Sequence, residues 1–213
     1  MSTVSSKLEL FQAAMPMVGA NVPSSLSDQS AEAIAANAVY EIMVQAELSR
    51  HAWSFATKEA ALTYQGETGS LPAYVYTLPS DIMTPRIVQK SGLRYRKYEI
   101  RGGKLLCGLF EATDLTIIYN WRAPESEWTP MFVQGIQMLL AAHLATGLLD
   151  RHAEGRELRQ EGRMLIRQAK RNDRNSFQGA EANPDPSLIA AWKGSLGQRS
   201  AQGLAAIDIG PDS

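Results

Sequence analysis

The sequence predicts an α+β protein: an antiparallel bundle of about four helices, a small strand-rich insert between the two helix pairs, and an extended C-terminal arm. Three observations predict it. Apolar residues recur at helical spacing in 1–57 and again in 124–175. Between them, 58–123 changes to short alternating runs punctuated by Gly, Pro and Ser. Beyond 176 hydrophobicity thins out. The expected division is 1–57 with 124–175 as the bundle, 58–123 as the insert and 176–213 as the arm.

In the first zone Leu8, Leu10, Phe11, Ala14, Met15 and Val18 follow three- and four-residue steps up to Gly19. A Ser- and Pro-bearing loop, 21–27, leads to an Ala-rich helix with Ser27 or Asp28 as its cap, running to about Trp53. Strands are then expected at 60–64, 73–78, 87–89, 93–100, 104–107 and 115–121. Gly102-Gly103 supplies a tight hairpin, because two glycines accept positive φ. In the last of these strands Leu115, Ile117, Tyr119 and Trp121 share a face. From Pro124 the helix period returns in a segment apolar nearly all round, interrupted by Gln134, Gln137 and His143. A final helix of mixed charge runs to about Asn172.

The chain has 213 residues, 45% hydrophobic and 20% charged, which suits one domain of ordinary size or a core with a small module attached. Its net charge of −1 argues against a chain that binds polyanions with its whole surface. One cysteine rules out an intramolecular disulfide framework and a multi-cysteine zinc site. No run of apolar residues is long enough to span a membrane, and 1–7 lacks a signal peptide's layout. The expectation is a protein made in a reducing cytosol and not exported by itself.

Conventional catalytic patterns find little support. His51, His143 and His152 have no partner at metalloprotease spacing, and no Gly-x-Ser-x-Gly elbow or Walker loop is present. His143, inside the apolar helix, reads as a core or helix-contact residue, and Cys107 as a small core residue. Glu125 and Glu127 are explained as helix-start carboxylates. One charge run stands out. Residues 86–104 carry Arg86, Lys90, Arg94, Arg96, Lys97, Arg101 and Lys104 against Glu99 alone, interleaved with Tyr95 and Tyr98. Such a stretch can contact nucleic-acid phosphate; the plain alternative is a solvated hairpin whose cations discourage edge pairing. In the arm, Leu188, Ile189, Trp192 and Leu196 fit one apolar face of a short helix behind Pro184 and Pro186.

The order of certain segments resembles a known family. Arg50-His-Ala-Trp53-Ser-Phe55 closes a helical pair; Leu71-Pro-Ala-Tyr74-Val-Tyr76 and Leu78-Pro-Ser-Asp81 follow. Then come Tyr98-Glu-Ile-Arg-Gly-Gly-Lys104, Leu115-Thr-Ile-Ile-Tyr-Asn-Trp121 and, after Pro130, an apolar helix and a charged one. This set, over about 6–175, is similar to the head-to-tail adaptors of tailed bacteriophages, of the tail tubular protein A type. The resemblance implies a structural virion protein, not an enzyme, with no cofactor and no metal. It implies a ring of twelve subunits between the portal protein and the tail nozzle or next tail component, with DNA passing through the lumen without sequence-specific binding and no membrane partner. The chain is then expected in the host cytoplasm during assembly and at the head–tail connector of the virion. On that reading the Leu188, Ile189, Trp192 and Leu196 arm docks on the portal, and Arg94, Arg96, Lys97, Arg101 and Lys104 face the tail or the DNA path. The competing readings are a nucleic-acid-binding protein using the basic 86–104 hairpin, and an enzyme with a lone His or Glu site.

Overall fold

The computed structural model describes residues 6–68, 74–108 and 114–181. Helix α1 (Lys7–Ala14) starts at Ser6, whose hydroxyl accepts the Glu9 amide at 3.3 Å. The apolar period continues, but Pro16 brings no N–H to the ladder. The chain therefore tightens into a short 3-10 turn, Pro16–Val18, closed by Gly19 at φ +67°. Helix α2 (Ala31–Ser49) is capped by Ser30, further along the chain than the expected Ser27 or Asp28. Asp28 instead accepts the amides of Ser24 and Ser30 and braces the loop.

Eight strands follow: β1 (Thr57–Ala61), β2 (Thr63–Glu67), β3 (Tyr74–Thr77), β4 (Ile82–Lys90), β5 (Leu93–Tyr95), β6 (Tyr98–Arg101), β7 (Lys104–Cys107) and β8 (Leu115–Trp121). They form two antiparallel sheets, ordered β1-β8-β4-β5 and β2-β3-β7-β6. Helix α3 (Pro130–Gly147) then opens with proline at its first position. Helix α4 (His152–Glu181) runs beyond the expected end near Asn172. Residues 1–171 form one unit; a second begins at Asn172, within α4, and its description stops with that helix.

The expected fold class, a helical bundle with a small insert, is corrected by this architecture. The 57–121 region is a two-sheet sandwich with its own core, comparable to the helices rather than appended to them. Tyr74, Tyr76, Leu105 and Cys107 of one sheet meet Val88, Leu115, Ile117 and Tyr119 of the other. The sequence signal was misleading at the crossings. The expected strand over 60–64 is two strands in different sheets, with buried Leu62 between them. The expected strand over 93–100 is likewise β5 and β6, parted at Arg96-Lys97. Alternation reports that a run is extended; it carries no mark for the residue at which the chain changes sheet.

β4 is longer than its 87–89 core because Pro85 is tolerated within it. Pro85 stands opposite Tyr119 of β8 beside a register shift between Pro85 and Ile87, and β5 begins its pairing only at Val88; such an irregular, one-sided stretch is where a sheet accepts a residue without an N–H. The turns are two-residue hairpins: Ser91-Gly92 at φ +50° and +76°, and the expected Gly102-Gly103 at +58° and +72°.

The helical core centres on α3. Phe132, Ile136, Leu140 and Leu144 are almost wholly buried with Phe11, Tyr40, Leu48 and Trp53. Against α4 the approach is very close. A Cβ at Gly135 would stand 2.7 Å from the Ile166 side chain, and one at Gly162 would stand 3.1 Å from the Gly135 carbonyl oxygen. Trp53 joins helices to strands, its ring centroid 4.7 Å from Phe132 and 5.5 Å from Phe55.

The same junction satisfies the carbonyls that a helix leaves unbonded at its C-terminus. At the end of α2, the Glu47 carbonyl accepts Trp53 Nε1–H at 3.1 Å. The Leu48 carbonyl accepts Asn120 Nδ2–H at 2.7 Å, and Ser49 accepts Arg86 Nη2–H at 2.8 Å. Asn120 also donates to His51 at 2.6 Å, and its Oδ1 accepts Arg86 Nε–H at 2.8 Å. Asn120 is fully buried on β8, on the side opposite the inter-sheet face. Replacing it by Leu leaves two carbonyls and a guanidinium N–H without partners, each costing about 1 to 3 kcal/mol when buried. Chemical denaturation of Asn120→Leu should therefore show a loss of more than about 2 kcal/mol. A midpoint equal to wild type would show that water replaces the clamp at no cost.

Candidate functional site

The cations of 86–104 divide by position. Arg86 is spent inside the clamp, where burial holds its guanidinium below the ordinary value. Arg94 lies on β5 and Arg96 and Lys97 on the crossing to β6, all exposed. Arg101 and Lys104 flank the Gly102-Gly103 turn in the other sheet, also exposed, with Arg101 paired to Glu99 at 2.8 Å. The basic stretch is thus two hairpins, one at the edge of each sheet, joined by the Arg96-Lys97 crossing. Leu93 stands among these cations and is 76% exposed. The arm residues Leu188, Ile189, Trp192 and Leu196 lie outside the described residues.

Two charged networks have structural employment. Arg122 follows β8 and bridges Glu41 of α2 at 2.9 Å and Glu125 at 2.6 Å, while Tyr40 donates its hydroxyl to Glu125 at 2.8 Å. Burial pushes the Glu125 carboxyl up, but Arg122, backbone hydrogen bonding and Tyr40 outweigh it and hold the group below its ordinary range. Burial likewise opposes ionisation of Glu41, and Arg122 with Gln45 again wins. Desolvation, then the hydrogen bond to Glu125, drives the Tyr40 phenol well above its ordinary value. The second network lies at the sandwich. Lys58 pairs with Asp81 at 2.9 Å and lies 3.4 Å from the Trp121 ring centroid. Tyr119 donates to Asp81 at 2.8 Å, and burial first, then Asp81, pushes its phenol up to about 12. Lys58 and Tyr119 hold the Asp81 carboxyl low.

The remaining singled-out residues are spread apart. His51 meets the Trp53 ring edge-on at 4.8 Å, and His152 pairs with Asp150 at 2.8 Å. Cys107 is buried, its thiol pushed up by desolvation. His143 is exposed rather than a core residue. It lines an open groove of about 430 Å³ between α2, α3 and α4. Val39, Ile42, Met43 and Leu139 supply the apolar lining, and Arg159 and Arg163 stand at the rim. Partial desolvation against the groove wall, then the nearby charge of Arg159, holds the His143 imidazole below its ordinary value. No sequence rule singled out this groove, because Ile42 and Ala46 fit the apolar stripe of α2 as well as buried residues would.

Among the described residues no group of three or more His, Cys, Asp or Glu side chains is placed to hold a metal ion, and no helix is long and apolar enough to cross a membrane. Comparison with protein-family models gives no match, and comparison with curated proteins gives none.

The Arg122 network sets a pH dependence. A carboxyl with a lower pKa folded than unfolded adds stability above its ordinary value of 4.5, and loses it as pH falls through the depressed value. Glu41 is 46% exposed, so solvent screens much of its share, and Glu125 carries the effect. Glu125→Gln should cost about 1 to 3 kcal/mol at pH 7. It should also flatten the decline of the melting midpoint below pH 4.5, measured by circular dichroism. An acid limb as steep as that of wild type would assign acid sensitivity to other groups.

Proposed function

We propose that this chain is a structural protein of a tailed bacteriophage particle, a ring-forming adaptor that joins the portal to the tail and continues the DNA channel. One observation carries the reading beyond the ordered resemblance: large apolar side chains stand exposed on the helical part. Ile42 is 74% exposed, Met164 56% and Ile34 53%. Exposed apolar surface next to charge is what a part designed to be covered by other proteins presents. Among the described residues, the segments that carry the resemblance lie at the joint between helices and sandwich, in β3 and β8, in the Gly102-Gly103 hairpin, and in α3 and α4. On this reading the helices contact neighbouring copies and the hairpins reach the next tail component.

On this proposal the Leu188, Ile189, Trp192 and Leu196 arm engages the portal, and catalysis plays no part. Particles assembled without this chain should be filled heads that lack tails or leak their DNA. Tailed, infective particles without it would overturn the reading.

A second reading, nucleic-acid binding, is favoured by the exposure of Arg94, Arg96, Lys97, Arg101 and Lys104. The triple variant Arg94→Glu, Arg96→Glu, Lys97→Glu separates the two. All three side chains are exposed, so folding stability should hold within about 0.5 kcal/mol per site. The adaptor reading expects intact rings that attach tails poorly. The binding reading expects lost affinity for duplex DNA and a salt slope reduced by about one per phosphate contact removed. Normal tails with normal DNA delivery would leave the hairpins as solvated surface.

A further inference from the structure

We propose that the groove between α2, α3 and α4 receives the 17–32 loop of a second copy of this chain, in a head-to-tail junction. The proposal deepens the ring reading and rests on it.

The groove presents apolar surface with uncompensated positive charge. Arg50 at one end is already paired with Glu47. Among the described residues neither Arg159 nor Arg163 has an ion-pair partner, and both line the groove with exposed Ile42. A smaller depression of about 230 Å³ extends the surface along α2 and α3, sharing Ala38, Val39 and His143 with the first. The occupant that fits is an apolar segment bearing carboxylates.

The 17–32 loop has that chemistry. Met17, Val22 and Leu26 are 42%, 51% and 43% exposed. Asp28 and Glu32 lie beside them, and between Lys7 and Arg50 the sequence has no Lys or Arg. The Asp28 carboxyl is held below its ordinary value by the Ser30 amide, then its hydroxyl, then the Ser24 amide, so it is ionised at neutral pH. The loop is also held in shape. Gln12 donates to the Pro23 carbonyl at 3.2 Å, Asn37 to the Leu26 carbonyl at 3.1 Å, and Asn21 to Glu32 at 2.8 Å. A preformed knob loses little conformational freedom on docking.

The two surfaces cannot meet within one copy. Asn37 anchors Leu26 on one flank of α2. At roughly 100° per residue, Ile42 and Ala46 of the groove lie about 140° and 180° around the helix from it. Knob and socket on opposite flanks of one helix make a heterologous contact, the kind that closes into a ring when the rotation allows.

The test uses the full chain and two variants at exposed positions, Ile42→Glu in the socket and Leu26→Glu in the knob, each checked for an unchanged melting midpoint. By sedimentation velocity, wild type should form multi-copy assemblies, with and without portal. Each variant alone should fall to single copies, with a self-association Kd raised roughly tenfold or more. Mixed in equal amounts, the variants should give a two-copy species, since the intact knob of Ile42→Glu can enter the intact socket of Leu26→Glu. If wild type assembles and either variant alone assembles as well as it does, the junction is wrong and the ring stands. A mixture that stays single-copy also overturns the junction. Wild type that remains single-copy even with portal overturns both.

Discussion

The structure turns on how the C-terminus of α2 finds partners. A helix that ends inside a protein exposes carbonyls that must be bonded or penalised. Here three consecutive ones, from Glu47 to Ser49, are bonded by side chains from three places in the chain: Trp53, Asn120 and Arg86. Asn120 is the keystone, because it donates twice and accepts once. It lies on β8, the strand flanked by β1 and β4, and so ties the first sheet to the helical core along its middle. The sandwich is thereby fastened to α2 by polar geometry as well as by apolar contact.

Around that clamp the packing is layered. Trp53 and Phe55 meet Phe132 of α3, and Trp128 meets the same ring at 5.0 Å. Arg122 secures the far side of the joint by bridging Glu41 and Glu125. The clamp faces inward and the Arg122 network is part-buried; the outside carries apolar side chains on the helices, cations on the two hairpins and the mixed charges of α4. That distribution favours a part that is covered by, and covers, other proteins.

Much of this was legible in the sequence. The helical periods, the Gly102-Gly103 turn, the shared face of Leu115, Ile117 and Tyr119, and the place of Trp53 at the change of period follow from residue spacing. The extent of the sheets did not. Leu62 and Arg96-Lys97 hold no turn signal, yet the chain changes sheet there, so eight strands read as six and a sandwich read as a small insert. The clamp was hidden for a different reason. A lone Asn in an apolar strand and an Arg in a basic run have no local signature of a bond to a helix end more than thirty residues away. The core alternative for His143 failed because the apolar period of α3 gives no sign that one flank opens into a groove. Gly135 and Gly162, weak helix formers by propensity, were silent until the close approach of α3 and α4 explained them.

The central claim is that the outward surfaces exist to join copies of this chain into a ring around a channel. Electron microscopy of the purified full chain, alone and with the portal protein proposed as its partner, tests it most directly. The account predicts closed rings with an open centre, neighbouring copies touching through their helices. Uniform single-copy particles, or two-copy particles that do not grow when portal is added, would contradict it.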